Sequence, residues 1–454
     1  MAIDPTIFRE YDIRGLVGKN LDEGVLEAIG KGTGTLMQRY GARKIAVGRD
    51  VRLSSPKFAE ALIRGLRSTG CDVTDFGEVP TPVLNFGVIE YKFEGGVEIT
   101  ASHNPIDYNG VKMRTLERSL YGPDMQEIKK IVETGAFSKG DGGYAKQDVV
   151  AAYKKKLASL VKIDRPLKIV IDAGNGACGP IAPDLFRSVG CEVTELYCEP
   201  DGRFPNHLPD PTVPALVADL IAKVKETGAD LGLGFDGDGD RIGVVDETGH
   251  LLWGDYLMIL LARDILKRKP GAYIVFDTKC SKALIEEIDR NGGRPVIWKS
   301  GYPLIQAKMR ELSAPLAGEM SGHIYFTDNF YGVDDGMFGG LRVAEIVARA
   351  GRPLSKILAD APVYPSTPEL RIESTEEDKF RIVEEIAKRF RGKYETIDVD
   401  GVRVVFPDGW ALLRASNTQA VIVARFEANT EARLEELKAM FRDELKKHPS
   451  AKLD

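Results

Sequence analysis

One pattern of secondary structure is predicted three times along this chain of 454 residues. A β-rich run is followed by a helical stretch, a glycine-centred turn and a second β-rich run. The helical parts carry apolar residues at three- and four-residue spacing. The β-rich runs are short and apolar, as in crossover units of a sheet that helices cover. We therefore predict three related α/β units, at 44–73, 168–193 and 273–296.

Each unit leads to a further β-rich run that ends in a polar motif. The motifs are TASHNP at 100–105, DGDGDR at 236–241 and GEMSGH at 318–323. In open sheets with parallel strands, ligands bind outside the carboxyl ends of the strands. The three equivalent strand ends are therefore expected to face one central cleft.

The length of the chain exceeds what one hydrophobic core can serve. We predict an α/β protein with three related α/β domains at 1–148, 149–250 and 251–363, each a mixed sheet covered by helices. A smaller C-terminal α+β domain at 364–454 completes the cleft. In that last domain, Ser374 is expected to cap the first helix in a capping box, and Asn429 the final helix.

Composition restricts the partners of this chain. A net charge of −6 argues against a nucleic-acid binder or an anionic-membrane binder, so small molecules are the expected partners. The most hydrophobic stretch, 251–266, is too short and too charged to span a bilayer. Five scattered cysteines and the absence of a basic–apolar leader favour the cytoplasm. A monomer or homodimer is expected.

Asp236, Asp238 and Asp240 alternate with glycines between two β-leaning runs. Mg²⁺ takes oxygen ligands, and glycine spacers let the chain curl so that three carboxylates converge. An EF-hand calcium loop is the nearest alternative, but its sixth position requires glycine and here holds Arg241. A solvated acidic turn is disfavoured because unpaired carboxylates this close repel one another. The pattern predicts a Mg²⁺ site.

Ser102 lies between a β-rich run and a turn that Asn104 and Pro105 enforce, so its hydroxyl is presented at a strand end. Such a hydroxyl can be a nucleophile or carry a phosphate. A Ser-His-Asp hydrolase is the competing interpretation, but neither Ser102 nor Ser321 lies in a Gly-x-Ser-x-Gly elbow. The adjacent His103 is not expected to serve as the base of such a hydrolase for Ser102. A polar turn that bonds to its own backbone is also open.

A cluster near the C-terminus suits a phosphate group. Arg414, Ser416, Asn417 and Thr418 offer a guanidinium, two hydroxyls and an amide within five residues. Arginine donates two hydrogen bonds to phosphate oxygens, and hydroxyls and amides fill the remaining acceptor positions. An ordinary surface turn is the alternative.

Glu319, Ser321 and His323 alternate beside two glycines. This arrangement suits hydrogen bonds to neighbouring sugar hydroxyls, and a histidine can transfer protons near neutral pH. A structural histidine is equally compatible with the pattern.

Together these motifs resemble those of the α-D-phosphohexomutase superfamily, and within it the phosphomannomutase/phosphoglucomutase group, over essentially the whole chain. The resemblance implies that Ser102 is phosphorylated and that Asp236, Asp238, Asp240 and a phosphoserine oxygen hold Mg²⁺. It implies that the 318–323 loop binds the sugar and the 414–418 loop its phosphate. The resemblance also assigns the following side chains to the active site: Tyr11, Arg14, Lys112 and Lys279.

Two loops favour mannose and glucose phosphates over glucosamine phosphate. Glucosamine-specific relatives usually read GEQSGH and RPSGT, whereas this chain has Met320 and Asn417. One run departs from the group: KTGHS before Ile-Lys is replaced here by a run with Tyr302 and Gln306. Tyr302 can donate a hydrogen bond to the substrate but cannot act as a cation.

The resemblance implies an isomerase that moves a phosphoryl group reversibly between O1 and O6 of mannose and glucose monophosphates. Phospho-Ser102 would phosphorylate the free hydroxyl, and the resulting hexose 1,6-bisphosphate, an intermediate and activator, would reorient and return its other phosphate. Arg14, Lys112 and His323 are the expected catalytic partners. Proton transfer is assigned to His323 or to a Lys112 of lowered pKa, and Arg241 would offset charge with Lys112.

Three other functions remain open from the sequence. Phosphoglucosamine mutase is the alternative within the family. A Mg²⁺-dependent sugar phosphatase would hydrolyse phospho-Ser102 instead of recycling it. A non-enzymatic sugar-phosphate binder is disfavoured, because it needs neither a presented nucleophile nor three metal ligands. For the mutase, the bisphosphate must not be lost, so the last domain is expected to close as a lid about 362–368.

Overall fold

The computed structural model describes residues 3–416 and 419–452. Four sheets follow one another along these residues, and the last is antiparallel. The predicted α/β architecture with a C-terminal α+β domain is confirmed. No helix within the described residues has the length and apolar character needed to cross a bilayer.

The first domain is built on a mixed sheet with helices on it. Its strands are β1 (Ile13–Leu16), β2 (Lys44–Arg49), β3 (Asp72–Glu78), β4 (Gly95–Ile99), β5 (Tyr108–Thr115) and β6 (Tyr144–Lys146). Its helices are α1 (Glu23–Arg39), α2 (Ser55–Ser68), α3 (Thr81–Glu90) and α4 (Pro123–Thr134), after a 3₁₀ turn at Pro5–Ile7. The strand order is β1-β5-β4-β2-β3-β6.

Helix α2 shows why the sequence pattern predicts this domain. Phe58, Leu62 and Leu66 recur at four-residue spacing, and all three are buried in the apolar core. On the facing helix α1, a Cβ at Gly30 would lie 2.3 Å from the Leu62 carbonyl oxygen. The two helices can pack this closely only because glycine stands at that position.

The second domain has the sheet order β11-β10-β9-β7-β8. Its strands are β7 (Lys168–Asp172), β8 (Glu192–Leu196), β9 (Leu231–Phe235), β10 (Ile242–Asp246) and β11 (Leu251–Leu252). Its helices are α5 (Val150–Ser159), α6 (Ala182–Ser188) and α7 (Ala218–Thr227), the last preceded by a 3₁₀ turn at Pro214–Val217.

The third domain has the sheet order β13-β12-β14-β15. Its strands are β12 (Tyr273–Asp277), β13 (Arg294–Trp298), β14 (Leu316–Gly318) and β15 (Ile324–Phe326). Its helices are α8 (Gly254–Arg268), α9 (Lys282–Arg290), α10 (Tyr302–Glu311), α11 (Gly336–Ala350) and α12 (Leu354–Ile357).

These three sheets share one arrangement. The orders β3-β2-β4-β5, β8-β7-β9-β10 and β13-β12-β14-β15 are equivalent, with the first three strands parallel and the fourth antiparallel. The predicted threefold repeat is therefore confirmed. In each sheet the third of these strands runs into one of the polar motifs, so the repeat brings three motifs to corresponding positions.

The fourth domain packs its helices on an antiparallel sheet of order β16-β20-β19-β18-β17. Its strands are β16 (Leu370–Glu373), β17 (Glu395–Ile397), β18 (Val402–Phe406), β19 (Gly409–Ala415) and β20 (Val421–Ala428). Its helices are α13 (Asp378–Phe390) and α14 (Glu431–Leu445).

Both predicted caps in the fourth domain are wrong. Thr375, not Ser374, accepts the hydrogen bond from the amide of Asp378 at the start of α13. Thr430, not Asn429, caps α14. The helices themselves lie where the sequence predicts them.

Candidate active site

The three polar motifs meet where β4, β9 and β14 end. The loop after β9 lies against the Ser102 loop, because a Cβ at Gly237 would be only 2.5 Å from the Ser102 carbonyl oxygen. The same loop pairs with the third motif through a bridge between Arg241 and His323. Gly239 has φ +75°, which supplies the turn that the glycine spacing predicts. One centre therefore contains motifs from three domains.

Ser102 is buried, and its hydroxyl donates a hydrogen bond of 2.5 Å to Asp236 Oδ2. Its Oγ also lies 3.0 Å from His103 Nδ1, a contact between neighbours that the sequence does not predict. Burial and the nearby Arg241 lower the pKa of His103 well below its ordinary value. The serine hydroxyl thus points into the acidic cluster, not towards a Ser-His-Asp arrangement.

Asp236, Asp238 and Asp240 are buried, and one carboxylate oxygen from each lies within 4.8 Å of the others. Burial, together with the charges of Asp240 and Asp238, raises the pKa of Asp236 well above its ordinary value. Asp238 Oδ1 has no hydrogen-bond partner within residues 3–416 and 419–452. Buried carboxylates that repel one another, with an oxygen left unpaired, fit a site that could hold a metal ion.

Lys112 on β5 supplies positive charge to this cluster. Its Nζ lies 2.7 Å from Asp238 Oδ2 and 2.5 Å from Asp240 Oδ2. Burial disfavours the ammonium, but these carboxylates outweigh that effect and raise the pKa of Lys112 well above its ordinary value. The expectation of a lowered pKa for Lys112 is therefore wrong. The first domain thus places the ammonium of Lys112 beside the aspartates of the second domain.

The third motif surrounds His323 with acidic groups. His323 Nε2 is 3.3 Å from Asp240 Oδ1, and its Nδ1 is 3.2 Å from Glu319 Oε2 and 3.1 Å from Ser321 Oγ. Burial opposes the imidazolium, but the charge of Asp240 prevails and raises the pKa of His323 to about 10. Glu319 is fixed in turn by the amide of Gly301, which donates to its Oε1. These contacts orient the side chains of the 318–323 loop towards the aspartates.

Two predicted residues near the amino terminus also reach this centre. Arg14 binds Asp12 and donates to Asn104 Oδ1 at 2.6 Å, beside the Ser102 loop. Tyr11 donates its hydroxyl to the carbonyl oxygen of Ser300 in the third domain. Tyr302 returns the contact, because its hydroxyl donates to the Tyr11 carbonyl oxygen at 2.9 Å. Tyr302 therefore links two domains through a main-chain contact.

The predicted phosphate-binding residues lie on the fourth domain and on the loop after β12. Arg414 Nε lies 2.8 Å from Asp400 Oδ2. Ser416 Oγ accepts from the amide of Gln419. Lys279 Nζ is 3.1 Å from Glu369 Oε2, so this lysine joins the third domain to the fourth. Asn417 and Thr418 were predicted for the same cradle and lie outside the described residues.

Models of one family match four successive parts of the chain. Phosphoglucomutase/phosphomannomutase alpha/beta/alpha domains I, II and III match 5–139, 150–249 and 253–364, and the C-terminal domain matches 369–444. The chain belongs to the phosphoglucomutase/phosphomannomutase family. The resemblance that the motifs suggest is confirmed, and it covers every domain of the fold.

Relatives within this family align over nearly the whole chain. A phosphomannomutase/phosphoglucomutase of Pseudomonas aeruginosa is 46% identical over 446 residues, which are 98% of this chain and 96% of that protein. A phosphoglucomutase of Neisseria gonorrhoeae is 42% identical and is covered to 98%, with 99% of this chain aligned. A crystal structure of a phosphoglucomutase/phosphomannomutase family protein from Burkholderia thailandensis superposes with a TM-score of 0.93, at 43% identity and 100% coverage of both chains.

Sequence reasoning missed several acidic partners in this family member. Glu369 and Asp400 each bind a cation predicted to contact phosphate, and Asp334 is buried beside Asp240 and His323. Burial and the charge of Asp240 raise the pKa of Asp334 to about 7. No motif marks these residues, because each is recognised only by a contact that the folded chain forms.

Proposed function

We propose that this protein interconverts hexose 1-phosphates and hexose 6-phosphates, as a phosphomannomutase/phosphoglucomutase that acts on both mannose and glucose. One observation carries the proposal. The hydroxyl of Ser102 lies 2.5 Å from Asp236, so a nucleophile is held at the edge of a cluster suited to a divalent cation. The 318–323 loop of the third domain and Arg414 of the fourth domain complete the same centre in our proposal.

Phospho-Ser102 donates its phosphoryl group to the free hydroxyl of the bound monophosphate, and the resulting bisphosphate reorients and returns its other phosphoryl group to Ser102. Asp236, Asp238 and Asp240, with an oxygen of phospho-Ser102, would hold Mg²⁺, which stabilises the negative charge of the transferring phosphoryl group when bound. Lys112 adds a fixed positive charge to the same oxygens. Hexose 1,6-bisphosphate is the intermediate, and free bisphosphate activates the enzyme by loading Ser102.

The phosphate that is not transferred binds on the opposite side of the cleft. Arg414, Ser416 and Lys279 supply the described donors there, and Asn417 and Thr418 join them in our proposal. Because the bisphosphate presents a phosphate at each end, the same cradle can hold it in both orientations.

The remaining side chains hold the sugar ring and serve the reacting hydroxyl. Glu319 and Ser321 form hydrogen bonds with sugar hydroxyls. The opening between the domains is lined by Arg14, Arg241, Tyr11 and Tyr302. His323 and Lys112 both contact Asp240. Because the raised pKa of Lys112 keeps its ammonium charged, proton exchange with the hydroxyl is assigned to His323, and Lys112 is assigned to charge stabilisation. These two residues lie on different domains, so separate variants distinguish them.

We also propose a cytoplasmic protein that acts as a monomer or homodimer. Its four functional domains divide at 148/149, 250/251 and 363/364. The fourth domain closes over the substrate about 362–368, so that the bisphosphate turns over without escaping. Small-angle scattering that gave identical dimensions with and without substrate would contradict this closure.

A coupled assay with mannose 1-phosphate and glucose 1-phosphate, Mg²⁺ and trace hexose 1,6-bisphosphate tests the activity. Turnover of both sugars is expected, and Ser102→Ala should abolish it. Ser159→Ala is the matched control, because Ser159 is an exposed serine on α5 that contacts only its own helix in the described structure.

Three outcomes of this assay would identify an alternative function in place of the mutase. Net release of inorganic phosphate in place of isomerisation would identify a phosphatase. Turnover of glucosamine 1-phosphate alone would identify a phosphoglucosamine mutase. A protein that binds sugar phosphates but turns over none of them would refute the enzymatic proposal.

A further inference from the structure

The backbone of Ser102 adopts a conformation that serine rarely takes. Its φ of +50° lies in the left-handed region, where a side chain at Cβ crowds the neighbouring backbone. Such a residue keeps this conformation only when surrounding contacts enforce it. The hydroxyl of Ser102 reaches Asp236 from this backbone, so whatever enforces the conformation also aims the nucleophile.

The guanidinium of Arg52 binds the main chain of the Ser102 loop at four points. Its Nη2 donates to the carbonyl oxygens of Ser102 at 2.9 Å and Asn104 at 2.5 Å. Its Nη1 donates to those of Pro105 at 2.7 Å and Tyr108 at 3.0 Å. Arg52 is 1% exposed, so these bonds are formed away from solvent. A planar guanidinium with its donors in a fixed fork suits this task, and an ammonium does not.

Arg52 is itself held from two sides. Its Nε lies 3.3 Å from Asp50 Oδ2, an oxygen that also accepts from the amide of Ala101. On the other side, the ring of Phe204 from the second domain lies 5.2 Å from the guanidinium carbon. The main chain there also fits tightly, since a Cβ at Gly202 would lie 2.3 Å from the Val51 carbonyl oxygen. The arginine is thus fixed by both domains that form the nucleophile and metal centre.

We propose that Arg52 is a positioning residue that holds the left-handed backbone of Ser102 and thereby sets the rate at which Ser102 gains and loses its phosphoryl group. Arg52 binds carbonyl oxygens and does not touch the proposed substrate. The proposal rests on the proposed function, because it concerns phosphorylation of Ser102. It extends that function by assigning the geometry of the nucleophile to a residue outside the four motifs.

The test compares Arg52→Lys with the wild-type protein. Dephosphorylated protein is mixed with glucose 1,6-bisphosphate and Mg²⁺, and the phosphate gained at Ser102 is followed by intact-protein mass and peptide mapping. A displaced nucleophile can lose about 10- to 100-fold in rate. We expect a loss of this size in the phosphorylation rate and in kcat, with KM within about twofold of wild type, because the substrate contacts are untouched.

Arg342→Lys is the matched control. Arg342 is also a buried arginine bound to carboxylates, those of Asp264 and Glu345, but it lies on α11 away from Ser102. Its replacement should lower the midpoint of thermal unfolding and leave the rate of Ser102 phosphorylation unchanged. A purely structural role for Arg52 would give the Arg342→Lys result.

A second variant covers failure of Arg52→Lys to fold. Phe204→Leu removes the ring that packs on the guanidinium, keeps Arg52, and should slow phosphorylation of Ser102 in the same direction by a smaller factor. Wild-type rates in whichever of these variants fold would overturn the proposal. Wild-type protein that gains no phosphate at Ser102 would refute the proposed function itself, which separates the two failures.

Discussion

Replacement of Lys112 by methionine tests the electrostatics of the cluster formed by Asp236, Asp238 and Asp240. Methionine keeps the length of the side chain and removes its charge. Asp238 and Asp240 then lose a cation that lies within 2.7 Å of both. The two carboxylates are at most 1% exposed, so water cannot replace the lost partner.

The size of the effect follows from this burial. Removal of one partner of a buried ion pair costs about 3–5 kcal/mol in the free energy of unfolding. For a folding unit of about 250 residues, 1 kcal/mol corresponds to roughly 2–4 °C in the unfolding midpoint. With EDTA present, Lys112→Met should therefore lower the midpoint of the first two domains by roughly 10 °C.

Mg²⁺ should restore much of this loss. A divalent cation among the aspartates replaces the missing charge, and without the competing ammonium it should bind the variant more tightly than the wild type. Binding at 100 times the dissociation constant contributes about 2.7 kcal/mol. The rise in midpoint on adding Mg²⁺ should therefore be larger for Lys112→Met than for the wild type.

Thermal unfolding in EDTA and in graded Mg²⁺ measures both quantities. Lys162→Met is the control, because that lysine is 85% exposed and pairs only with Asp164 in the described structure. Its unfolding midpoint should match that of the wild type in both buffers. Equal Mg²⁺-induced rises for Lys112→Met and wild type would refute the reasoning, since the ion would then not share the site that the ammonium occupies.

Two further changes test charged groups outside the aspartate cluster. In the proposed phosphate site, Glu369 competes with substrate phosphate for Lys279. Glu369→Gln removes this carboxylate, so the dissociation constant for glucose 1-phosphate should fall about fivefold by calorimetry. An unchanged constant would contradict the competition. His207 lies 3.1 Å from Asp172; burial lowers the pKa of His207, but this partner outweighs burial and raises it above the ordinary value. The ion pair between His207 and Asp172 therefore stabilises the fold below about pH 6.5, and this stabilisation is lost as pH rises through the folded pKa of His207. The difference in thermal unfolding midpoint between wild type and His207→Gln should therefore shrink from pH 6 to pH 9. A midpoint difference that stays constant over this pH range would contradict a stabilising role for the His207–Asp172 pair.

The elements of this fold could be predicted because their signals are local. The spacing of apolar residues identifies α2, and the glycines of the 236–241 loop indicate a turn before any contact is known. Contacts between domains carry no such signal. Lys112 meets Asp238 across 126 residues, and Lys279 meets Glu369 across 90. Whether a cation lies beside a particular carboxylate depends on how two sheets are oriented, which the periodicity of either one does not report.

The misplaced caps show the same limit at a single residue. Asn429 and Thr430 both suit a helix start, and local preference does not separate them. In the structure the Asn429 side chain accepts a hydrogen bond from Lys282 of the third domain, which leaves Thr430 to cap α14. Tyr302 follows the same rule: the sequence offers a hydroxyl for the sugar, and the folded chain uses it on the Tyr11 carbonyl. A polar side chain with several possible partners is assigned by tertiary geometry, so sequence predicts its chemistry better than its partner.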